Sequence, residues 1–436
     1  MSQVVPHPGS AIIQIQPRAA GAQAGSDVRQ HTVEYVWTMA ALVQVAEEWR
    51  ELFKRHGCRN AFLSYEWMSA WWRHWGASHR LMVLLVRDQE GELVALAPFY
   101  LRGSRLGLLG PRALCFIGTQ WVGSDHLDLI VAPGYEDSAV KAIAAAVQDR
   151  RDDWDYIELA DGAEASPVFT SLCRAFVDAG MTQRLLREEP CPYTPLPATF
   201  EELLAGLGSN QRYNFRRRRR ALERNAGMVF RAIQGGPELH GRFADLVRLH
   251  RLRFESQQRN TFFPSASVQS FHADALRQLE TAGMARVFVL ESNGKAIAAL
   301  YGFSVGKRFT FYQSGMDPAW SRLSVGLVMM GCALEEAIRS DHDEFDFLRS
   351  DETYKFQWTK HVRRGRTLCF FKPRLRSRWA SPHISAREAI KQGLRRYVLP
   401  LLATVPSLSQ KLQEGWGTCA VLKPGARRGG VRLSNG

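Results

Sequence analysis

FYQSGMDPAWSRLSVGLVMMGCALEEAI (residues 311–338) reads as a strand, a polar turn and a helix in direct succession. The strand ends at Gly315, Asp317–Pro318 turns the chain, and Leu327, Met330, Leu334 and Ile338 recur at helical spacing from a start near Ser324. Backbone N–H groups at such a start form an anion site. Gly326 admits a pyrophosphate close to the backbone, and Arg322 beside it has the fork geometry of a phosphate clamp. An ordinary strand–turn–helix with no ligand is the alternative.

Moving toward the C-terminus, EFDFLRSDETYKFQWTKHVRRGRT (344–367) is a strand that runs into a polar cluster. Ligands settle at the C-terminal ends of strands in open α/β sheets. Tyr354 and Lys355 there have the chemistry to protonate a leaving thiolate or hold an oxyanion. Asp351, or Asp346 within the strand, has that to accept a proton from an amine. A surface loop pinned by pairing of Asp351 with Lys355 is the other reading. Toward the N-terminus, SNQRYNFRRRRRALERNAG (209–227) is a basic helix capped by Ser209 and stopped at Gly227. At about 100° per residue, five consecutive arginines wrap the whole circumference, so at least one faces the protein body and needs an anionic partner. Arg216, Arg217 and Arg220 therefore read either as an ion-paired helix or as a wall that binds an anionic substrate.

The remaining chain repeats one order of elements. From about residue 40 come two helices, the second dense in tryptophan (Trp67, Trp71, Trp72, Trp75) and read as core. A hairpin follows (RLMVLLVRD, then ELVALAPFYL), then ALCFIG, HLDLIVAP, a helix over 137–148, WDYIELA, a helix over 165–179 and a short strand near 181–186. EEPCPYTPLP (188–197) is a linker or an extended crossing strand. Thr199 with Glu202 forms a capping box. Further helices over 237–256 and 267–282 lead to MARVFVLES, the Asn293–Gly294 turn and KAIAALYGFSV, a hairpin. RFTFYQSG, the helix from Ser324, EFDFLRS and a closing TLCFFKP complete the second half. Both halves thus run helix, helix, hairpin, strand, helix, strand.

With 436 residues, 45% hydrophobic and 23% charged, the composition is that of an ordinary folded protein and excludes disordered, collagen-like and disulfide-scaffold classes. The seven cysteines are scattered without CxxC pairs, and the histidines show no strong ligand spacing, so no metal is expected; His126 before Asp128, and His342 between two aspartates, come nearest. The net charge of +14 is confined to residues 361–436, which hold 16 Lys/Arg against Glu388 and Glu414. Such a tail meets phosphates, acidic proteins or anionic lipid, and 384–402 forms a basic amphipathic stretch suited to a membrane surface. No apolar run reaches the roughly 18 residues of a membrane span. The opening MSQVVPHPGS lacks a secretory pattern, so a cytoplasmic location is expected, with peripheral contact at the inner membrane through the tail.

Together the basic helix, FYQSGMDPAWSRLSVGLVMMGCALEEAI and FDFLRSDETYKFQW resemble the acetyltransferase domain of the GNAT superfamily as found in CelD-type cellulose-biosynthesis proteins, a branch related to the Fem aminoacyl transferases. LMVLLVRDQEGELVALAPFYL and GSDHLDLIVAPG resemble it too. The likeness covers about 35–375. It implies an α/β (α+β) fold of two tandem GNAT-like domains, each a mixed, mostly antiparallel sheet flanked by helices. Residues 1–30 would be a disordered lead-in, 31–190 the first domain, 191–375 the acyltransferase domain and 376–436 the basic tail. It further implies acetyl-CoA or another acyl-CoA as donor co-substrate, bound by Tyr312, Ser314, Arg322, Ser324, Val325 and Gly326. Tyr354, Lys355, Asp351 and Asp346 would do the chemistry. Arg216, Arg217, Arg220, Asp317, Trp358 and Asp128 would contact an amine, hydroxyl or glycan acceptor. Ser350, Tyr354, Lys355 and Trp358 match the family's closing motif, with Ser350 where glycine is usual. Aminoacyl transfer from tRNA and a non-catalytic accessory role in a polysaccharide-synthesis complex are the alternatives.

Overall fold

The computed structural model describes residues 12–15, 31–103, 111–257, 263 and 265–373. Elements of the first half, in chain order, are β1 (Ile12–Ile15), β2 (Thr32–Val36), α1 (Met39–Gln44), α2 (Ala46–Arg55), α3 (Tyr65–Trp75), β3 (Arg80–Arg87), β4 (Leu93–Arg102), β5 (Ala113–Phe116), β6 (Ile130–Val131), α4 (Glu136–Asp149), β7 (Tyr156–Ala163), α5 (Pro167–Asp178) and β8 (Thr182–Pro195). Those of the second are α6 (Phe200–Ala205), α7 (Ser209–Ala226), β9 (Val229–Ile233), α8 (Gly236–Ser256), α9 (Ala266–Thr281), β10 (Ala285–Ser292), β11 (Lys295–Val305), β12 (Arg308–Met316), α10 (Val325–Arg339), β13 (Glu344–Asp346), α11 (Thr353–Phe356) and β14 (His361–Phe371).

All the strands join one sheet in the order β1-β2-β3-β4-β5-β7-β14-β8-β13-β12-β11-β10-β9, with β6 on β4. Its pairs are antiparallel except β5–β7 and β12–β13. The halves exchange strands at the junction. The final strand β14 lies between β7 and β8, so it completes the first half's sheet, while β8 carries on to pair with β13 of the second. A boundary between 190 and 191 would therefore cut a continuous strand. The proline-rich stretch is the crossing part of β8, not a linker. Within the lead-in, Ile12–Ile15 pairs with β2 as an edge strand. The basic tail and its amphipathic stretch lie outside the described residues.

Period-two alternation sorts the second half's sheet between two helical layers. Val287, Val289, Phe303 and Tyr312 face α8 and α9, while Phe288, Leu290, Phe309 and Phe311 face α6, α7 and α10. The α8 backbone comes very close to β12. A Cβ at Gly315 would lie 2.3 Å from the His250 nitrogen, so only glycine permits this approach.

The prolines also explain why β13 is so short. The carbonyls of Pro192 and Pro190 accept from the N–H groups of Phe347 and Ser350 (both 3.0 Å), but proline returns no donor. The β8–β13 ladder thus ends at Tyr193–Asp346, and the parallel β12–β13 ladder ends at Thr310–Asp346. Beyond Asp346 the chain turns away through Leu348 (φ 56°) and Ser350 (φ 134°) into α11. β12 from Phe311 onward is left with no strand neighbour on that side.

Candidate active site

That gap holds a cavity of about 220 Å³. Leu300 and Ala298 of β11, Ser314 to Met316 of β12, Ser324 to Leu327, Met329 and Met330 at the start of α10, Tyr354, Gln357 and Trp358 around α11, and Arg253 of α8 line it. Since α8 and α10 pack on opposite faces of the sheet, the cavity passes between β12 and α11 and is lined from both sides. β12 also carries a bulge here. Gln313 pairs with Tyr301 and Phe311 with Gly302, leaving Tyr312 as the extra residue.

The α10 start has the features of an anion site. Ser324 adopts the left-handed conformation (φ 54°, ψ 44°), and its side chain makes no cap. The N–H groups of Leu327 and Val328 return to the Ser324 carbonyl (3.0 and 3.2 Å). Those of Val325 and Gly326 precede the first intrahelical bond, so they remain to be satisfied from outside the helix. Gly326 has ordinary backbone dihedrals. A Cβ on it would meet the Met316 thioether at 3.0 Å, so it keeps the passage beside Met316 open.

Among the residues singled out from the sequence, Ser314, Ser324, Val325, Gly326, Tyr354 and Trp358 meet at this cavity. Burial, followed by the nearby Glu352 carboxylate, pushes the Tyr354 phenol well above its ordinary range, so it stays protonated at neutral pH. Trp358 is buried edge-on against Phe215 (5.6 Å between centroids). Lys355 points the other way, donating from Nζ to the carbonyls of Leu348 (3.1 Å) and Arg349 (2.8 Å). Burial lowers its pKa.

The other expected residues lie elsewhere. Asp346, 1% exposed, is 3.0 Å from His126 Nε2 of the first half and accepts from the Leu348 N–H (2.8 Å). Burial alone would raise its pKa, but His126 and the Arg363 and Arg308 guanidiniums overcome this and hold it below the usual range. It is enclosed rather than placed to take a substrate proton. Asp351 is exposed and outside the lining. Tyr312 sits on the opposite face, in an aromatic cluster with Trp67, Phe303 and His272. Asp317 accepts from the Ala319 N–H (3.0 Å) and caps the turn Pro318–Leu323. Arg322 is exposed, and its carbonyl accepts from Arg218 (2.7 Å), so α7 braces the turn by another arginine. Asp128 is buried in the first half, accepting from the Leu129 N–H (2.7 Å), and burial raises its pKa to about 7.

On α7 the arginines divide by face. Arg216 pairs with Glu201, and Arg219 with Glu223 and Glu335. Carboxylates thus supply the inward partner that five arginines in a row demand. Gly208, rather than Ser209, is the N-cap. Tyr213, Arg217, Arg220 and Arg224 lie outward at helical spacing and are exposed, with Arg217 over the Tyr213 ring (5.8 Å). Among the described residues none of these three arginines meets a carboxylate.

Two parts of the surroundings were not foreseen from sequence. Arg253 is one of several arginines on α8, and nothing in the helix periodicity distinguishes the one that reaches the cavity. The junction is also bound by charge. Arg349 pairs with Asp125 (3.1 Å) and Asp161, and Asn60 donates to the carbonyls of Asp125 and His126 (3.0 and 2.9 Å). Among the described residues, no group of three His, Cys, Asp or Glu side chains is arranged to hold a metal, and no helix is long and apolar enough to cross a membrane.

Comparison with known proteins places this geometry. Residues 209–356 match the family model described as an acetyltransferase (GNAT) domain. That stretch is thus similar to a GNAT acetyltransferase domain, and the match takes in α7, the start of α10 and Tyr354. No curated protein matches the sequence. Among solved structures the chain is similar to FemX, at 10% identity and a TM-score of 0.55 over 74% of this chain and 95% of that one. It is also similar to the C-terminal domain of a putative lysylphosphatidylglycerol synthetase from Agrobacterium fabrum (11%, TM-score 0.49, 81% and 97% covered). A tandem GNAT protein from the clavulanic acid biosynthesis pathway is a third (13%, TM-score 0.42, 78% and 99%). At such identities the likeness is one of fold: FemX shares the two-part architecture across most of its length.

Proposed function

We propose that this protein transfers an acyl group from acyl-CoA to an amine or hydroxyl acceptor. The observation that carries this reading is the passage beside β12, with the α10 start at one wall and a protonated phenol at another. The donor pyrophosphate would accept from the Val325 and Gly326 N–H groups, placing the thioester beside Ser314 and Met316. The acceptor attacks the thioester carbonyl, and the tetrahedral intermediate collapses with cleavage of its C–S bond. CoA leaves as a thiolate that takes the Tyr354 proton, and the proton shed by the acceptor nitrogen or oxygen passes through solvent to restore the Tyr354 phenol. Holding donor and acceptor together in one passage supplies much of the acceleration. Lys355 acts as a positioning residue, fixing the turn that presents Tyr354. The CelD-type resemblance makes glycan acceptors of the cell envelope the first class to examine.

Thiol release from a panel of acyl-CoAs with amine, sugar and polysaccharide acceptors tests the reaction. Tyr354→Phe is expected to lower kcat by about 10²–10⁴-fold, the range of general acid catalysis, while leaving CoA affinity nearly unchanged. Equal loss of both, or of neither, would remove the acid role.

The exposed stripe Tyr213, Arg217, Arg220, Arg224 favours a second reading, aminoacyl transfer from tRNA. Binding would then fall steeply with salt, and aminoacyl-tRNA rather than acyl-CoA would support transfer. The first reading is preferred because the cavity and the α10 start suit a small diphosphate donor.

A further inference from the structure

Arg253 enters the passage from α8, on the sheet face opposite α10. Its neighbours in the wall are largely apolar: Leu300, Met316, Met330 and Trp358. Its Nε is buried and makes no hydrogen bond, and among the described residues no carboxylate pairs with the guanidinium. The contrast with neighbouring arginines on the same helix is direct. Arg242 and Arg248 both pair with Asp245, and Arg251 with Glu255. The half-buried guanidinium otherwise lies over the Phe254 ring (5.9 Å). A buried donor with no acceptor is unfavourable, and an anion in the passage would supply the acceptor.

We infer that Arg253 anchors an anionic group of the acceptor, a carboxylate or a phosphate, and so selects anionic acceptors over neutral ones. The inference rests on the acyl-transfer reading for the word acceptor, and the geometry supplies the rest. The donor's diphosphate belongs at the α10 start, on the other face. A nucleophile has to reach the thioester from the side the donor leaves open, which is the side from which Arg253 projects. A planar fork reads two oxygens of a carboxylate or phosphate at once, which gives orientation as well as attraction. Bound in this way, the acceptor presents its nucleophile to the thioester next to Tyr354.

Matched acceptor pairs test this: glucosamine 6-phosphate against glucosamine, and glycine against glycinamide. Binding to the full chain, followed by calorimetry in the presence of CoA, is read first because it needs no turnover. The wild type is expected to bind the anionic member of at least one pair about tenfold or more tightly, the scale of a charge-assisted hydrogen bond. Arg253→Gln should abolish that preference while CoA affinity changes less than threefold, and Arg253→Lys should restore part of it. Which pair responds separates carboxylate from phosphate. Equal binding of charged and neutral members by the wild type, or a preference that survives Arg253→Gln, overturns the inference. So does a loss of CoA affinity in Arg253→Gln with acceptor binding intact, which would give Arg253 to the donor. Failure of the acyl-transfer reading shows separately, as binding of the anion without thiol release from any acyl-CoA.

Discussion

Lys355 Nζ lies 2.8 Å from the carbonyl oxygen of Arg349, so the ammonium faces back under the turn while its neighbour Tyr354 faces the cavity. One short helical turn thus divides two adjacent side chains between the backbone of the preceding turn and the cavity. Lys355→Met removes both donors from the Leu348 and Arg349 carbonyls. It is expected to lower stability by about 1–3 kcal/mol, read as a drop in the urea midpoint. An unchanged midpoint together with lost turnover would instead give Lys355 a direct part in the reaction.

Asp346 joins the halves through His126. Because its pKa is lowered in the folded protein, its stabilising contribution is present above the ordinary carboxylate range and is lost as pH falls below it. Asp346→Asn removes the carboxylate that faces His126 and Arg363, while Arg308 and Arg363 keep Glu344, and should destabilise by about 1–3 kcal/mol at pH 7. Denaturation of both proteins across pH 3–7 checks this, since the gap should narrow toward acid.

Asp128 is shifted in the opposite sense. Its folded pKa of about 7 means that the native state binds a proton the unfolded chain has released. Stability from this group is full below the ordinary carboxylate pKa and falls as pH rises toward 7. Asp128→Asn still offers an oxygen to the Leu129 N–H. Its melting temperature is expected to exceed that of the wild type at pH 8, with little difference at pH 4. A constant offset across pH would show that the carboxyl does not titrate there.

Ser350 has φ 134°, a backbone conformation that favours glycine. Ser350→Gly removes the side-chain strain along with one hydrogen bond to Glu352 (3.0 Å). It is expected to raise stability by up to about 1 kcal/mol, measured by chemical denaturation, with acyl transfer retained. A loss of stability would mean that the bond to Glu352 outweighs the strain.

Much of the fold is legible in short-range signals. The Asn293–Gly294 turn (φ 51° and 73°) joins β10 and β11 as read, and Thr199 Oγ accepts from the Glu202 N–H (3.2 Å) to start α6. What could not be read is set by distant partners. For residues 188–197 the sequence leaves a linker and an extended crossing strand both open, because proline weakens strand patterns, and it is pairing with β14 that carries β8 through Pro190 and Pro192. HLDLIVAP alternates like a strand, but His126 (φ 55°) turns toward Asp346, and the stretch meets the sheet only through a single bridge at Leu127 and the short strand Ile130–Val131. The direction of Lys355 and the reach of Arg253 likewise depend on contacts remote in sequence.

The place of β14 between β7 and β8 bears on how the chain emerges from the ribosome. When β7 and β8 have left the exit tunnel, the strand that belongs between them has yet to be translated, and at ordinary elongation rates it follows roughly ten to thirty seconds later. Over that interval the first half carries unsatisfied strand edges of the kind that recruit other chains. The central seam can thus close only after His361–Phe371 has emerged, and nascent chains stalled before His361 should be clients for chaperones.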